Sequence, residues 1–321
     1  MNKFKLFLFL IFSLFFFSFL TPFISTFFSN FEGTNQLNSI FSSNFKGANQ
    51  YFNNDMNYER KIYFTIQSFS NEDSFEKYLL FLKNNKVSGI TFYGLHKKLK
   101  FEPSKIFARL KNEINDLQIY IAGDNFDFFK QISEDKELMK YVSGFHIEYE
   151  YWNYYKYKKK NREEAFNYFI EESKKIKDLT NKNNIKFEAY FGWFNQVEAN
   201  SFINLFDSIS IHAYTKNPEN VGNYIKERII TLYKINPAFQ WFVLCSAERD
   251  FMKESIEKYG LEKLEKMILE SIKATFNDST FTDILSNPFS NYGANSDYSN
   301  FVDYLKNFRG FYWFTGEKIA F

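Results

Sequence analysis

From Lys61 onward, short runs rich in β-branched and aromatic residues take turns with longer stretches whose apolar positions recur every three or four residues. The short runs predict strands at Ile62–Gln67, Val87–Tyr93, Leu117–Ala122, Ser143–Glu150, Ile185–Phe191, Asp207–Tyr214, Gln240–Ser246 and Arg309–Phe314. Between them the period is helical. In Ser74–Asn85, Phe75, Tyr78, Leu79 and Leu82 fall on one face, and Asn161–Asn184 carries acids early and lysines late, as the helix dipole favours. Pro103, Pro218 and Pro237 sit at helix starts or strand approaches. Eight strand–helix alternations over about 260 residues predict an α/β fold, a (β/α)8 or TIM barrel, since that fold takes about 250. An open doubly wound sheet would carry a Gly-rich phosphate turn after its first strand, and Gln67–Phe75 has none.

The pattern before Lys61 is different. Lys3 and Lys5 precede a nearly unbroken apolar stretch, Leu6–Leu20, which resumes after Thr21 and Pro22 and runs through Phe28. Residues 1–28 therefore read as a secretory signal peptide or a membrane anchor, being long enough to cross a bilayer. Either way the rest of the chain is expected to be exported, secreted or tethered outside the cytoplasm. Residues 29–58 read as an Asn/Ser-rich linker, in which Ser29–Gln36 recurs as Ser43–Gln50. Two copies are too few for a solenoid. The barrel domain is then 59–321.

Composition narrows the chemistry. With 40 Lys+Arg against 38 Asp+Glu, nothing favours a nucleic-acid partner. The lone Cys245, inside an apolar run, excludes an internal disulfide and reads as a core residue. Phe (44) and Tyr (22) are abundant throughout, so position rather than number must mark a ligand site. No P-loop, GxSxG or HExxH motif occurs, and no cofactor is expected.

In a (β/α)8 barrel the chemistry lies where the strands end. Strand four closes with His146, Glu148 and Glu150, which at a spacing of two share the inward face. Packing would put Val, Ile or Leu there, so three ionisable groups need partners or a role. Tyr141–Glu150, YVSGFHIEYE, resembles a degenerate form of the strand-four motif DGxDxDxE of family 18 glycoside hydrolases, the chitinases and endo-β-N-acetylglucosaminidases. Ser143, His146 and Glu148 fall on the three aspartates, Gly144 on the glycine and Glu150 on the catalytic acid. Tyr151 after it is similar to the Glu-Tyr of the endoglycosidase branch. Tyr214 matches the tyrosine of strand six, Gly123 a glycine of strand three, and Trp313 or Phe314 the barrel-floor tryptophan of strand eight. The resemblance implies a 2-acetamido-sugar glycan as substrate, Glu150 as general acid and base, Glu148 stabilising the intermediate, and Tyr214 bonding to the reacting group. Glu148 is one methylene longer than the family's aspartate, so its oxygens cannot occupy the same place without adjustment.

Other strand ends add candidates for substrate contact: His146, His212, Glu188, Tyr190, Trp152 and Trp193. His212 with His146 and His96 invites a metal reading, but their spacing fits no compact motif, and none is expected. Asp124 is a functional candidate or a helix cap. Glu248, after strand seven, allows a retaining glycosidase that pairs it with Glu150, the two carboxyls about 5 Å apart. It reads equally as a helix-start acid. A non-catalytic glycan-binding barrel is the competing class, favoured by Ser143 and His146 in place of aspartates, and a surface scaffold the third.

Overall fold

The computed structural model describes residues 58–95, 102–277 and 305–315. The expected signal or anchor, the linker with its repeat (save its last residue, Tyr58), and His96 lie outside them. Among the described residues no helix is long and apolar enough to cross a membrane.

Eight parallel strands close into a barrel in sequential order, β1 pairing with both β2 and β8. They are β1 (Glu59–Thr65), β2 (Gly89–Tyr93), β3 (Gln118–Gly123), β4 (Gly144–Ile147), β5 (Lys186–Phe191), β6 (Ser208–His212), β7 (Trp241–Ser246) and β8 (Phe308–Phe314). Each of the first seven is followed by a helix: α1 (Glu72–Asn84), α2 (Pro103–Glu113), α3 (Phe126–Glu134), α4 (Arg162–Asn183), α5 (Gln196–Phe202), α6 (Val221–Ile235) and α7 (Leu261–Asn277). The expected α/β barrel is present, and all eight predicted strands are found.

The abundant asparagines and phenylalanines build this frame. Asn71, Asn125, Asn161 and Asn195 each begin a helix by accepting a backbone N–H in its first turn, which satisfies a donor the helix leaves orphaned. The cap after β3 is therefore Asn125, not Asp124. Asn184 ends α4 in the left-handed conformation at φ 52°. Phenylalanines fill the layer between barrel and helices, as in the stacked pairs Phe92–Phe107, Phe129–Phe145 and Phe191–Phe202. Trp241 and Trp313 are fully buried, and Trp313 donates its indole N–H to Glu265 of α7 at 2.9 Å. Trp313 thus turns outward to the helices, and of the two candidates for the barrel-floor aromatic it is Phe314 that packs inward, on Tyr63 and Tyr93.

Strand four is shorter than its apolar pattern predicts. Its neighbour β3 ends at Gly123, whose carbonyl accepts from the Glu148 amide at 2.8 Å. Beyond that point there is no parallel partner, and the chain turns at Glu150 into a 3-10 segment, Tyr151–Tyr157. Alternation persists past the last ladder bond: Tyr149 packs against Tyr168 and Phe169 of α4, leaving Glu148 and Glu150 on the opposite side.

The barrel interior is polar at its centre. Lys61 is 1 % exposed, with Nζ 2.8 Å from Glu188 Oε1 and 4.3–4.4 Å from the ring centres of Tyr120 and Phe242. Ser208 donates to the same carboxylate oxygen at 2.9 Å, and Tyr312 donates to the other. Burial alone would raise the Glu188 carboxyl, but Lys61 and His146 outweigh it and hold it well below the usual carboxylate range.

Candidate functional site

The inner faces of β1, β4, β5 and β6 lead upward from this ion pair. His146, fully enclosed, sets Nε2 2.7 Å from the Tyr63 hydroxyl, while Nδ1 lies 3.8 Å from Glu188 Oε2. Burial, the largest influence, holds the imidazole below its ordinary range, with Lys61 acting in the same direction against the pull of Glu188. His146 is neutral. Above it, Glu148 is half-buried, and its carboxyl is pushed up to about 7. Desolvation is the largest cause. A hydrogen bond with Tyr63 opposes it, Glu150 adds to it, Lys156 opposes and Asp124 adds. A carboxylic acid half-protonated at neutrality therefore stands at the barrel mouth.

Glu150 is the outer member of the pair, its side chain 27 % exposed and 3.3 Å from Lys156 Nζ. Tyr190 and Tyr214 complete the group. Burial first, and then nearby carboxylates, push both phenols up; Tyr214 feels Tyr190, Glu148, Glu248 and Glu150, and Tyr190 feels Glu150 and Glu148. The fold thus gathers Glu148, Glu150, Glu248, Tyr190 and Tyr214, from four strand ends, into one electrostatic neighbourhood. Glu248 is held in a tight turn, its amide and carboxylate both bonded to the Ser246 hydroxyl, at 3.2 and 3.1 Å.

His212 lines the adjoining wall. Its Nδ1 is 3.0 Å from the Tyr190 hydroxyl, its Nε2 3.0 Å from that of Tyr224, and Tyr214 stacks on its ring at 5.0 Å. Burial, then the Arg228 charge, push it down to about 3, so the ring is neutral and serves to orient two phenols. Both ring nitrogens are occupied. Among the described residues no group of His, Cys, Asp and Glu is arranged to hold a metal ion.

Two aromatic side chains stand at the rim. Trp193 is 48 % exposed although its backbone is pinned: its carbonyl accepts from Arg162 at 3.2 Å and from the Tyr151 hydroxyl at 3.3 Å. The Arg228 guanidinium lies 4.7 Å from the Trp193 ring centre. Trp152 is partly buried, edge-on to Tyr190 at 5.4 Å, and a Cβ on Gly192 would stand only 2.6 Å from its ring. Glu188, by contrast, is enclosed by Lys61, Ser208 and Tyr312 and does not reach the mouth.

Four residues of this arrangement were not expected from sequence. Lys61 and Tyr63 fall in phase on β1, but Lys61 reads as a boundary charge and Tyr63 as one aromatic among many. Arg228 sits at helical spacing among Ile225, Ile229 and Leu232, where a charge on an apolar face is the signal. It is 2 % exposed and donates to the carbonyls of Gly192, His212 and Tyr224, tying the ends of β5 and β6 to α6. Lys156, the partner of Glu150, is hidden in a lysine run that reads as solvated.

The fold and the carboxyl cluster define an α/β barrel with an acidic mouth. No family profile matches the chain, and no curated protein matches it. Among solved structures it is similar to an F420-dependent secondary alcohol dehydrogenase (9 % identity, 82 % of this chain and 95 % of that one, TM-score 0.45). It is also similar to the YdjI aldolase of Escherichia coli K12 (10 %, 79 % and 97 %, TM-score 0.42). A third is the GH18 chitinase ChiB of Flavobacterium johnsoniae (12 %, 81 % and 87 %, TM-score 0.41). These are loose likenesses of barrels with three different activities, and they assign none of them to this chain.

Proposed function

We propose that this barrel is a glycoside hydrolase-like protein acting on glycans that carry 2-acetamido sugars, with Glu148 and Glu150 as its two working carboxyls. The observation that carries the reading is the Glu148 carboxyl, raised to about 7 beside a second, more exposed carboxyl at the barrel mouth. Glycosidic cleavage needs an acid at the leaving oxygen and a negative charge near the oxocarbenium-like centre. Glu150, the outer member, delivers the proton to the glycosidic oxygen and afterwards activates water. Glu148 holds a proton in the resting site and, once ionised, stabilises positive charge developing on the sugar. Tyr214 and Tyr190 offer hydroxyls to the reacting group, and the pinned Trp193, with Trp152, offers an aromatic face for a sugar ring. Export remains part of this proposal, on the strength of Lys3, Lys5 and the apolar run behind them.

The test is cleavage and binding of labelled N-acetylglucosamine oligomers and N-glycans by the full chain and by Glu150→Gln. Turnover by the wild type, reduced about 10²–10⁴-fold in the variant with binding kept, is the expected result. Binding by both and cleavage by neither would leave a glycan-binding barrel. Loss of turnover in Glu248→Ala, with rescue by azide, would reassign the nucleophile to Glu248.

A further inference from the structure

Directly after Glu150, Tyr151–Arg162 carries five aromatic residues, four lysines and an arginine, and no acid. Two of the rings anchor this segment. Tyr151 is fully buried against Phe166 and Phe169 of α4, and its hydroxyl lies 3.3 Å from both the Trp193 carbonyl and Glu198. Trp152 lies edge-on to Tyr190. Beyond these anchors the chain folds back on itself. The Lys158 and Lys159 amides donate to the carbonyls of Tyr155 and Tyr154 at 3.1 and 3.2 Å, and Lys158 takes the left-handed conformation at φ 55°. The turn presents Tyr154 and Tyr155 as a pair, ring centres 4.2 Å and hydroxyls 2.8 Å apart, with Tyr155 75 % exposed. Tyr155, Trp193 and Val197 are three of the five large hydrophobic side chains exposed among the described residues, and all three lie on the chain that leaves β4 and β5. Apolar side chains gathered in one sector of a surface mark a place of contact.

Charge divides this sector from the mouth. The mouth holds the acids Glu148, Glu150 and Glu248, whereas the segment beside it is basic. Lys156 pairs with Glu150 at 3.3 Å, Lys159 lies over the Tyr168 ring at 4.3 Å, and Arg162 is bound to Glu198. Lys158 and Lys160 are exposed, and among the described residues neither ammonium forms an ion pair with a carboxylate. We propose that this tyrosine–lysine surface is an extended subsite for an acidic glycan, in which sugars bearing carboxylate or sulfate stand next to the neutral 2-acetamido sugar at the mouth. The acidic mouth disfavours an anionic sugar and accepts a neutral one. One step along the chain the preference reverses: the apolar face of a sugar ring packs on Tyr155, and its anionic substituent meets Lys158 and Lys160. The inference rests on the proposed function in taking the ligand for a glycan, and adds the charge of the sugars that flank the reacting one.

The test is binding of fluorescently labelled hexasaccharides to the full chain. One probe alternates glucuronic acid with N-acetylglucosamine, a second is the same backbone sulfated and with its carboxyls esterified, and a third is the neutral N-acetylglucosamine hexamer. Exposed ion pairs are individually weak, so at least one anionic probe should bind about 3–10-fold more tightly than the neutral one. Which of the two does so identifies the anion. That advantage should shrink at high salt and vanish in Lys158→Gln/Lys160→Gln, with affinity for the neutral hexamer unchanged. Tyr155→Ala should weaken all three. Equal binding of anionic and neutral probes, a preference that survives the double lysine variant, or affinities indifferent to Tyr155→Ala overturns the proposal. So does tighter binding of a uridine hexanucleotide or of phosphatidylserine vesicles, which would assign the surface to another polyanion. Binding is read without turnover: a preference without cleavage would sink hydrolysis and leave the subsite, and cleavage without a preference would do the reverse.

Discussion

A carboxyl titrates near neutrality only when its surroundings penalise the charge more than its partners reward it, and at Glu148 they do. The raised value has a consequence for stability. Between the ordinary 4.5 and about 7, the folded protein holds a proton that the unfolded chain has already lost. Stability therefore falls as pH rises through that window, by about 2–3 kcal/mol for this group. The buried His146 and His212, both pushed below the ordinary imidazole value, act in the opposite sense over the same range, so the readout is the difference between proteins: from pH 5 to pH 8 in denaturant unfolding, Glu148→Gln should gain about that much stability relative to the wild type. An unchanged pH dependence in the variant would mean that Glu148 is not desolvated in solution. At the rim, Trp193→Ala should raise KM several-fold with little change in kcat, because the ring is exposed while its backbone is held by Arg162 and Tyr151.

β4 passes tightly between its neighbours. A Cβ on Gly144 would stand 2.6 Å from the Tyr120 ring and 2.7 Å from the Lys186 carbonyl, one of them backbone that cannot yield. Gly144→Ala should cost about 2 kcal/mol, lowering Tm by roughly 4–8 °C in a thermal melt. The positions of the elements were legible because period-2 and period-3.6 patterns survive in a sequence so rich in Phe. Asn161 and Asn184 bracket the long predicted helix, and both prove to be its caps. The end of β4 was not legible, since apolar alternation continues through Tyr149 while the ladder stops with β3. Side-chain direction explains the rest: alternation puts His146, Glu148 and Glu150 on one side but cannot say how deep each lies. Depth separates the enclosed His146 from the half-exposed Glu150. Partners arriving from 83 and 127 residues away, as with Tyr63–His146 and Lys61–Glu188, leave no local trace.

Across the whole molecule, the Lys61–Glu188 pair links β1 to β5 through the barrel interior and sets the charge on which the mouth is built. Removing one partner leaves an uncompensated buried ion, so Lys61→Met should destabilise by about 3–5 kcal/mol, with part regained in Lys61→Met/Glu188→Gln. Chemical denaturation of the two variants checks this; equal losses in both would show that packing rather than charge dominates. The central claim, a glycosidic bond cleaved at the Glu148 and Glu150 carboxyls, is tested most directly by the pH dependence of kcat/KM on labelled N-acetylglucosamine oligomers. The wild type should lose activity as pH rises through about 7, where Glu148 gives up its proton, and Glu148→Gln should lack that limb. No turnover at any pH despite binding, or the same limb in both proteins, would contradict it.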